Sequence, residues 1–169
     1  GVGIGPQPQL LAAWGLGVDA EGVEAFAEIC VEAFDGTVAL VKPQVAFFEA
    51  LGADGWAALE RLCRHARDAG LLVIADAKRG DIGSTARAYA SAYLERREEG
   101  AALADAMTVN PYLGRDSLEP FLSVCRREGA GVFCLVKTSN EGGADIQDLA
   151  LSDGRPLWQH VARLVSEWG

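Results

Sequence analysis

The sequence predicts an α/β fold built on a parallel sheet. Five short apolar segments alternate with five longer segments of helical periodicity. The apolar segments run continuously instead of alternating, so each strand is covered on both faces, as parallel strands between crossover helices are. Each also ends on Gly, Pro, Asn or charged residues, which stop strands and open loops.

The elements follow in order. Val2 to Ile4 is a short apolar strand, followed by a loop at Gly5-Pro6-Gln7-Pro8. Asp19 to Phe34 reads as a helix, because Val23, Phe26, Ala27, Cys30 and Phe34 recur at helical spacing. Asp19 suits its N-cap and Gly36 its stop. Val38 to Val41 is the second strand and ends at Lys42-Pro43. Trp56 to Ala69 is a helix stopped by Gly70. Leu71 to Ala75 is the third strand, ending in Asp76-Ala77-Lys78-Arg79-Gly80-Asp81. Ser84 to Arg97 is helical, and Ala106 to Val109 is the fourth strand, ending at Asn110-Pro111-Tyr112. Ser117 to Glu128 is helical, and Val132 to Val136 is the fifth strand, ending at Lys137-Thr138-Ser139-Asn140. Pro156 to Trp168 is the last helix, with proline at its start. Residues 1–169 read as a single domain. Two architectures fit the count: a five-stranded doubly wound sheet, or the first five units of an eight-fold barrel. In both, chemistry gathers at the carboxyl ends of the strands.

Composition narrows the function. Of 169 residues half are apolar, and 15 basic residues stand against 24 acidic ones, a formal charge of −9. That excludes a disordered chain and a nucleic-acid binder working through bulk positive charge. No apolar run reaches the roughly 18 residues of a membrane span, and no signal-peptide pattern appears. The chain starts in a strand at Gly1, not Met, and stops as a helix finishes, so a segment of a longer chain, truncated at both ends, is expected. Cys30, Cys63, Cys125 and Cys134 lie in apolar patterns without a C-x-x-C pair and read as buried reduced thiols of a cytoplasmic protein. His65 and His160 fall in helices at no ligand spacing, so no metal site is expected.

The lysines carry the functional signal. Only three of the 15 basic residues are Lys, namely Lys42, Lys78 and Lys137, and each stands at the carboxyl end of a strand. The helices use Arg. An ammonium can give up its proton and a guanidinium effectively cannot, so this placement suggests a proton donor. Asp76 and Lys78 are two apart and share a face on an extended strand. With Asp81 beyond Gly80 and Lys42 on the neighbouring strand they make an array of two cations and two anions. Such an array binds an anion, delivers a proton and stabilises a developing carbanion; the competing reading is a structural salt-bridge network. Thr138-Ser139-Asn140 offers groups for a heterocycle's edge, or a turn. Asn110-Pro111-Tyr112 lines a pocket or merely ends a strand. Gly142-Gly143 is a candidate lid hinge. Arg79-Gly80-Asp81 matches a cell-adhesion triplet that is common by chance. Gly1, Gly3 and Gly5 precede Pro6 and Pro8, not a helix N-terminus, so they are not a dinucleotide fingerprint.

Asp76-Ala77-Lys78-Arg79-Gly80-Asp81-Ile82-Gly83-Ser84-Thr85 closely resembles the signature of the orotidine 5′-phosphate decarboxylases. Val41 to Glu49, Thr108 to Gly114 and Val136 to Asn140 resemble the bacterial type 2 branch, in that family's order. The resemblance implies a TIM-type (β/α)8 barrel, of which this chain holds about the first five strand–helix units. It implies a homodimer with shared active sites, and cofactor-free conversion of orotidine 5′-phosphate to UMP, the last step of de novo pyrimidine biosynthesis. By resemblance Lys78 protonates C6 of the pyrimidine, and Asp76 sits beside the departing carboxylate, straining it or only positioning Lys78. Lys42 completes the network and holds the ribose. Asp81 and Thr85 reach the ribose of the neighbouring subunit's substrate, and Ile82 and Pro111 join the substrate site. Thr138 or Ser139 bonds the pyrimidine amide edge. Two departures stand out: Gly5 occupies the place of a ribose-binding Asp, and the family's phosphate site, on strands six to eight, lies outside this sequence. Two other readings remain. A Mg²⁺-dependent sugar-phosphate lyase shares D-x-K-x-x-D and needs a metal-binding acid, for which Glu49 is the nearest candidate. A degenerate barrel fragment would act as a binding module and ignore the nucleotide.

Overall fold

The computed structural model describes residues 1–97 and 100–169. Its elements run β1 (Val2–Ile4), α1 (Pro8–Ala13), α2 (Ala20–Phe34), β2 (Leu40–Pro43), α3 (Val45–Glu49), α4 (Gly52–Asp68) and β3 (Leu72–Arg79). Then come α5 (Gly83–Leu94), β4 (Ala106–Val109), α6 (Arg115–Glu128), β5 (Gly131–Cys134), a 3₁₀ turn (Glu141–Gly143), α7 (Ala144–Gln147) and α8 (Leu157–Trp168). All five strands are parallel, and their order in the sheet is their order in the chain, β1-β2-β3-β4-β5. A doubly wound sheet reverses direction at a switch point; this one does not. The sequential order is that of a β/α barrel, and all five carboxyl ends therefore share one rim.

The core lies between the sheet and its helices. Val23, Phe26 and Val31 of α2, Leu59 and Leu62 of α4, Tyr93 and Leu94 of α5, and Phe121 and Val124 of α6 pack on Val41, Val73 and Met107. Asp19 caps α2, its carboxylate accepting the Gly22 N–H at 2.9 Å. Cys30 and Cys63 are buried, Cys125 and Cys134 half-buried, and none is paired. Burial pushes the Cys63 thiol up to about 12, so it is no nucleophile at neutral pH. His65 and His160 lie in α4 and α8 as expected.

Several boundaries differ from the sequence reading. Pro8 opens α1 instead of belonging to a loop, because proline suits a first helical turn. α3 was not expected at all; at five residues it is too short to show a period. α4 begins four residues earlier, at Gly52, and α5 stops three residues earlier, at Leu94, where Glu95 turns extended. The third strand runs to Arg79, not Ala75, so the charged cluster lies on the strand and not in the loop.

Leu59 of α4 is fully buried in the core. Leu59→Ala should destabilise the protein by about 2–5 kcal/mol, read as a fall in the denaturation midpoint with the helical signal retained.

Candidate active site

The site forms where β2, β3 and β4 end together. Asp76 is buried, its side chain 8% exposed, and it lies between two ammonium groups. Lys42 Nζ donates to Oδ2 at 2.6 Å and Lys78 Nζ to Oδ1 at 2.5 Å. The Thr108 hydroxyl donates to Oδ1 at 3.0 Å. Burial pushes the Asp76 carboxyl up, but the hydrogen bonds from Lys42, Lys78 and Thr108 outweigh it and hold the group below the usual carboxylate range. The two lysines reach outward, 40% and 44% exposed, so both ammoniums face the rim while the carboxylate stays beneath. One anion between two cations leaves net positive charge facing a ligand.

Asp76 and Lys78 do meet, but not by regular strand alternation. Between Ala75 and Arg79 β3 advances four residues while β4 advances two, from Met107 to Val109. The surplus bulges out at Asp76-Ala77-Lys78. Pairing with β2 stays in register, since Val41 pairs Val73 and Gln44 bridges Asp76. Within the bulge Lys78 takes φ 50°, the only positive φ among the described non-glycine residues. That conformation costs about 1–2 kcal/mol, and such strain persists only where the surroundings impose it. Thr108 imposes part of it, its hydroxyl accepting the Lys78 N–H at 2.9 Å. Gly80 permits the rest, because a Cβ there would stand 3.0 Å from the Asn110 carbonyl oxygen.

The other expected residues lie apart from this array. Asp81 does not join it; its carboxylate accepts the following Ile82 N–H at 2.7 Å, so the structure closes an array of three charges, not four. Ile82 is exposed at the N-cap of α5, and Thr85 is exposed in that helix's first turn. Pro111 is half-buried beside the exposed Tyr112. Lys137 pairs with Asp148, away from the array. Thr138 is held within its loop: its N–H donates to Gln147 Oε1 at 2.8 Å, and its hydroxyl donates to Asn140 at 2.6 Å and accepts from Gln147 at 2.7 Å. Ser139 is exposed beside it. Gly143 sits in the 3₁₀ turn, where an added Cβ would stand 3.0 Å from both Thr138 Oγ1 and Gln147 Oε1. Glu49, the candidate metal acid, is paired with Arg79, and among the described residues no cluster of His, Cys, Asp and Glu could hold a metal ion. Sequence reasoning missed Thr108. Its signal was a hydroxyl inside an otherwise apolar buried strand.

The Asp76 shift fixes a pH dependence. Its folded pKa is depressed, so the stability it contributes is present above the unfolded value of about 3.9 and is lost as pH falls through the folded value. Thr108→Val should raise the Asp76 pKa and move that loss to higher pH. A carboxyl-carbon NMR titration of parent and variant checks it.

Comparison with known proteins identifies the family. A sequence profile described as the orotidine 5′-phosphate decarboxylase / HUMPS family matches residues 15–167. An orotidine 5′-phosphate decarboxylase of Rhodopirellula baltica is 55% identical over 148 residues, covering 85% of this chain and 49% of that protein. A crystal structure of a candidate orotidine 5′-phosphate decarboxylase from Streptomyces avermitilis superposes with a TM-score of 0.88 at 48% identity, over 98% of this chain and 58% of that one. The OMP decarboxylase of Leishmania donovani follows at 0.81 and 39%, over 99% and 60%. The chain thus spans about half the length of the curated relatives it matches. With a profile match over most of its length, and relatives of this identity and fold, the chain belongs to the orotidine 5′-phosphate decarboxylase / HUMPS family.

Proposed function

We propose that the protein carrying this chain decarboxylates orotidine 5′-phosphate to UMP, with residues 1–169 forming one partial barrel domain that supplies the charged centre. The observation that supports this is the Asp76 carboxylate clamped between Lys42 and Lys78 at a common strand rim. Loss of CO2 breaks the bond from C6 to the carboxylate carbon and leaves the electron pair on C6. The Lys78 ammonium gives its proton to that carbon, becomes a neutral amine, and regains a proton from solvent. Positive charge held in advance beside the forming carbanion lowers the barrier without reorganisation. Asp76, kept ionised, fixes both ammoniums and sets a negative charge next to the substrate's carboxylate. In this reading the reaction uses protein groups alone, in a cytoplasmic enzyme.

Asp81 accepts the Ile82 N–H, and Ile82 and Thr85 are exposed. That fits a homodimer in which they serve the neighbour's nucleotide. Pro111 and the Thr138-Ser139 pair flank the base in the same reading. The metal-dependent lyase reading loses its candidate acid to the Glu49–Arg79 pair. Gly5 is not forced by the backbone: a Cβ there would make ordinary contact with the Phe47 ring at 3.6 Å.

In the full-length protein Lys78→Ala should abolish conversion of orotidine 5′-phosphate, followed by ultraviolet absorbance, while UMP still binds. Thr85→Ala should leave kcat near parent and raise KM about 3- to 10-fold, the worth of one neutral hydrogen bond. Normal turnover by Lys78→Ala would remove Lys78 as the proton donor.

A further inference from the structure

We propose that Arg79 is a positioning residue for Lys78: anchored by Glu49, it holds the strained bulge that aims the ammonium at the reacting carbon. The proposal rests on the reading of Lys78 as proton donor. It starts from a conflict in the sequence. Lys78 and Arg79 are adjacent cations at a strand end, and only one of them faces the array. The Arg79 side chain goes to the helix layer instead, where its guanidinium pairs with Glu49 at the end of α3. The same group donates to Tyr93 Oη of α5 at 3.3 Å and to the Ala77 carbonyl at 3.2 Å. It lies over the Tyr89 and Tyr93 rings, 5.6 and 6.0 Å from their centroids. Arg79 Nε is buried with no hydrogen-bond partner among the described residues. Leaving that donor unpaired is unfavourable, so the placement is sustained by the fork and the two rings.

These contacts bracket the strained residue. Arg79 binds the carbonyl of Ala77, one residue before Lys78, and its own carbonyl accepts the Asn110 N–H at 2.8 Å. Lys78, at φ 50°, is therefore fixed from both sides by the residue that follows it. Thr108 holds its N–H from β4. Thr108 can fix the bulge only towards β4, whereas Arg79 ties it to α3 and α5 across the sheet. Released, the bulge relaxes towards regular pairing, which keeps Lys78 on the face of Asp76 but loses the φ of 50° and the Thr108 bond that set where its ammonium lies. A lysine could not substitute, since a point charge cannot bind the carboxylate, the phenol and the carbonyl with one planar fork.

The test compares Arg79→Met, Glu49→Gln and the double variant in the full-length enzyme, with Lys78→Ala as the reference. Arg79→Met should lower kcat about 100-fold, the cost of a misplaced reacting group, with KM and UMP affinity near parent. The double variant should be no worse than Arg79→Met alone, because both remove one tie. Guanidinium ion at sub-denaturing concentration should restore part of kcat to Arg79→Ala, which a loss of general stability would not allow. A kcat for Arg79→Met close to parent, with Lys78→Ala inactive, overturns the positioning role and leaves the proton donor standing. Turnover by Lys78→Ala overturns the proton donor itself. Should Arg79→Met not fold, Glu49→Gln decides: a reduced kcat at the parent melting temperature supports the role, and a parent kcat overturns it.

Discussion

A buried carboxylate shared by two ammoniums is the constraint from which the rest of the site follows. Taking Asp76 out of water disfavours its charge, and hydrogen bonds from Lys42, Lys78 and Thr108 reverse that preference. No single element can supply them. Lys42 comes from β2, Lys78 from β3 and Thr108 from β4. Three parallel strands must end at one rim with their registers fixed, and a sheet in chain order with helices behind it provides that. Losing Lys42, Lys78 or Thr108 removes one of the hydrogen bonds that keep the buried carboxylate ionised, so the array depends on the sheet that brings them together.

The price of this arrangement is local strain. A regular strand would put Ala77 opposite Asp76 and leave Lys78 governed by the pleat. The bulge frees Asp76 and Lys78 from that periodicity, and Lys78 takes a backbone conformation that side chains avoid. The neighbouring residue types fit the distortion. Ala77 is small and nearly buried, Gly80 lets Asn110 approach, and Thr108 satisfies both the bulge backbone and the carboxylate. Local rules are broken in one place, and the residues around it are consistent with the break, as expected where structure serves chemistry.

Apolar patterning made the sheet legible and stopped where the chemistry began. Continuous apolar runs located β1 and β4 at their observed bounds and the others within one or two residues, except at the end of β3. There the strand carries Asp76, Lys78 and Arg79, and charge in a sequence reads as loop. Pattern also failed for α1 and α3, which are too short to display a period. The scarcity of lysine found two members of the array, Lys42 and Lys78, and also Lys137, whose charge goes to Asp148. Asp81 shared the motif but not the array, because it lies beyond the end of β3, where its carboxylate accepts the next backbone N–H. Spacing records that residues are near in the chain; it does not record which side of a bulge they leave from.

The array draws its groups from three adjacent strands of the sheet. β2, β3 and β4 each have a hydrogen-bonded neighbour on both sides, and their array residues rest on the best-buried part of the core. β5 pairs with β4 from Gly131 to Cys134. The loop that follows is held by the Thr138–Gln147 contacts. Stabilising a carbanion needs charges that do not reorganise as the reaction proceeds, and these sit on interior strands. The groups proposed for gripping the base, Thr138 and Ser139, stand instead on the loop after β5, whose shape is set by side-chain hydrogen bonds with Gln147 and Asn140.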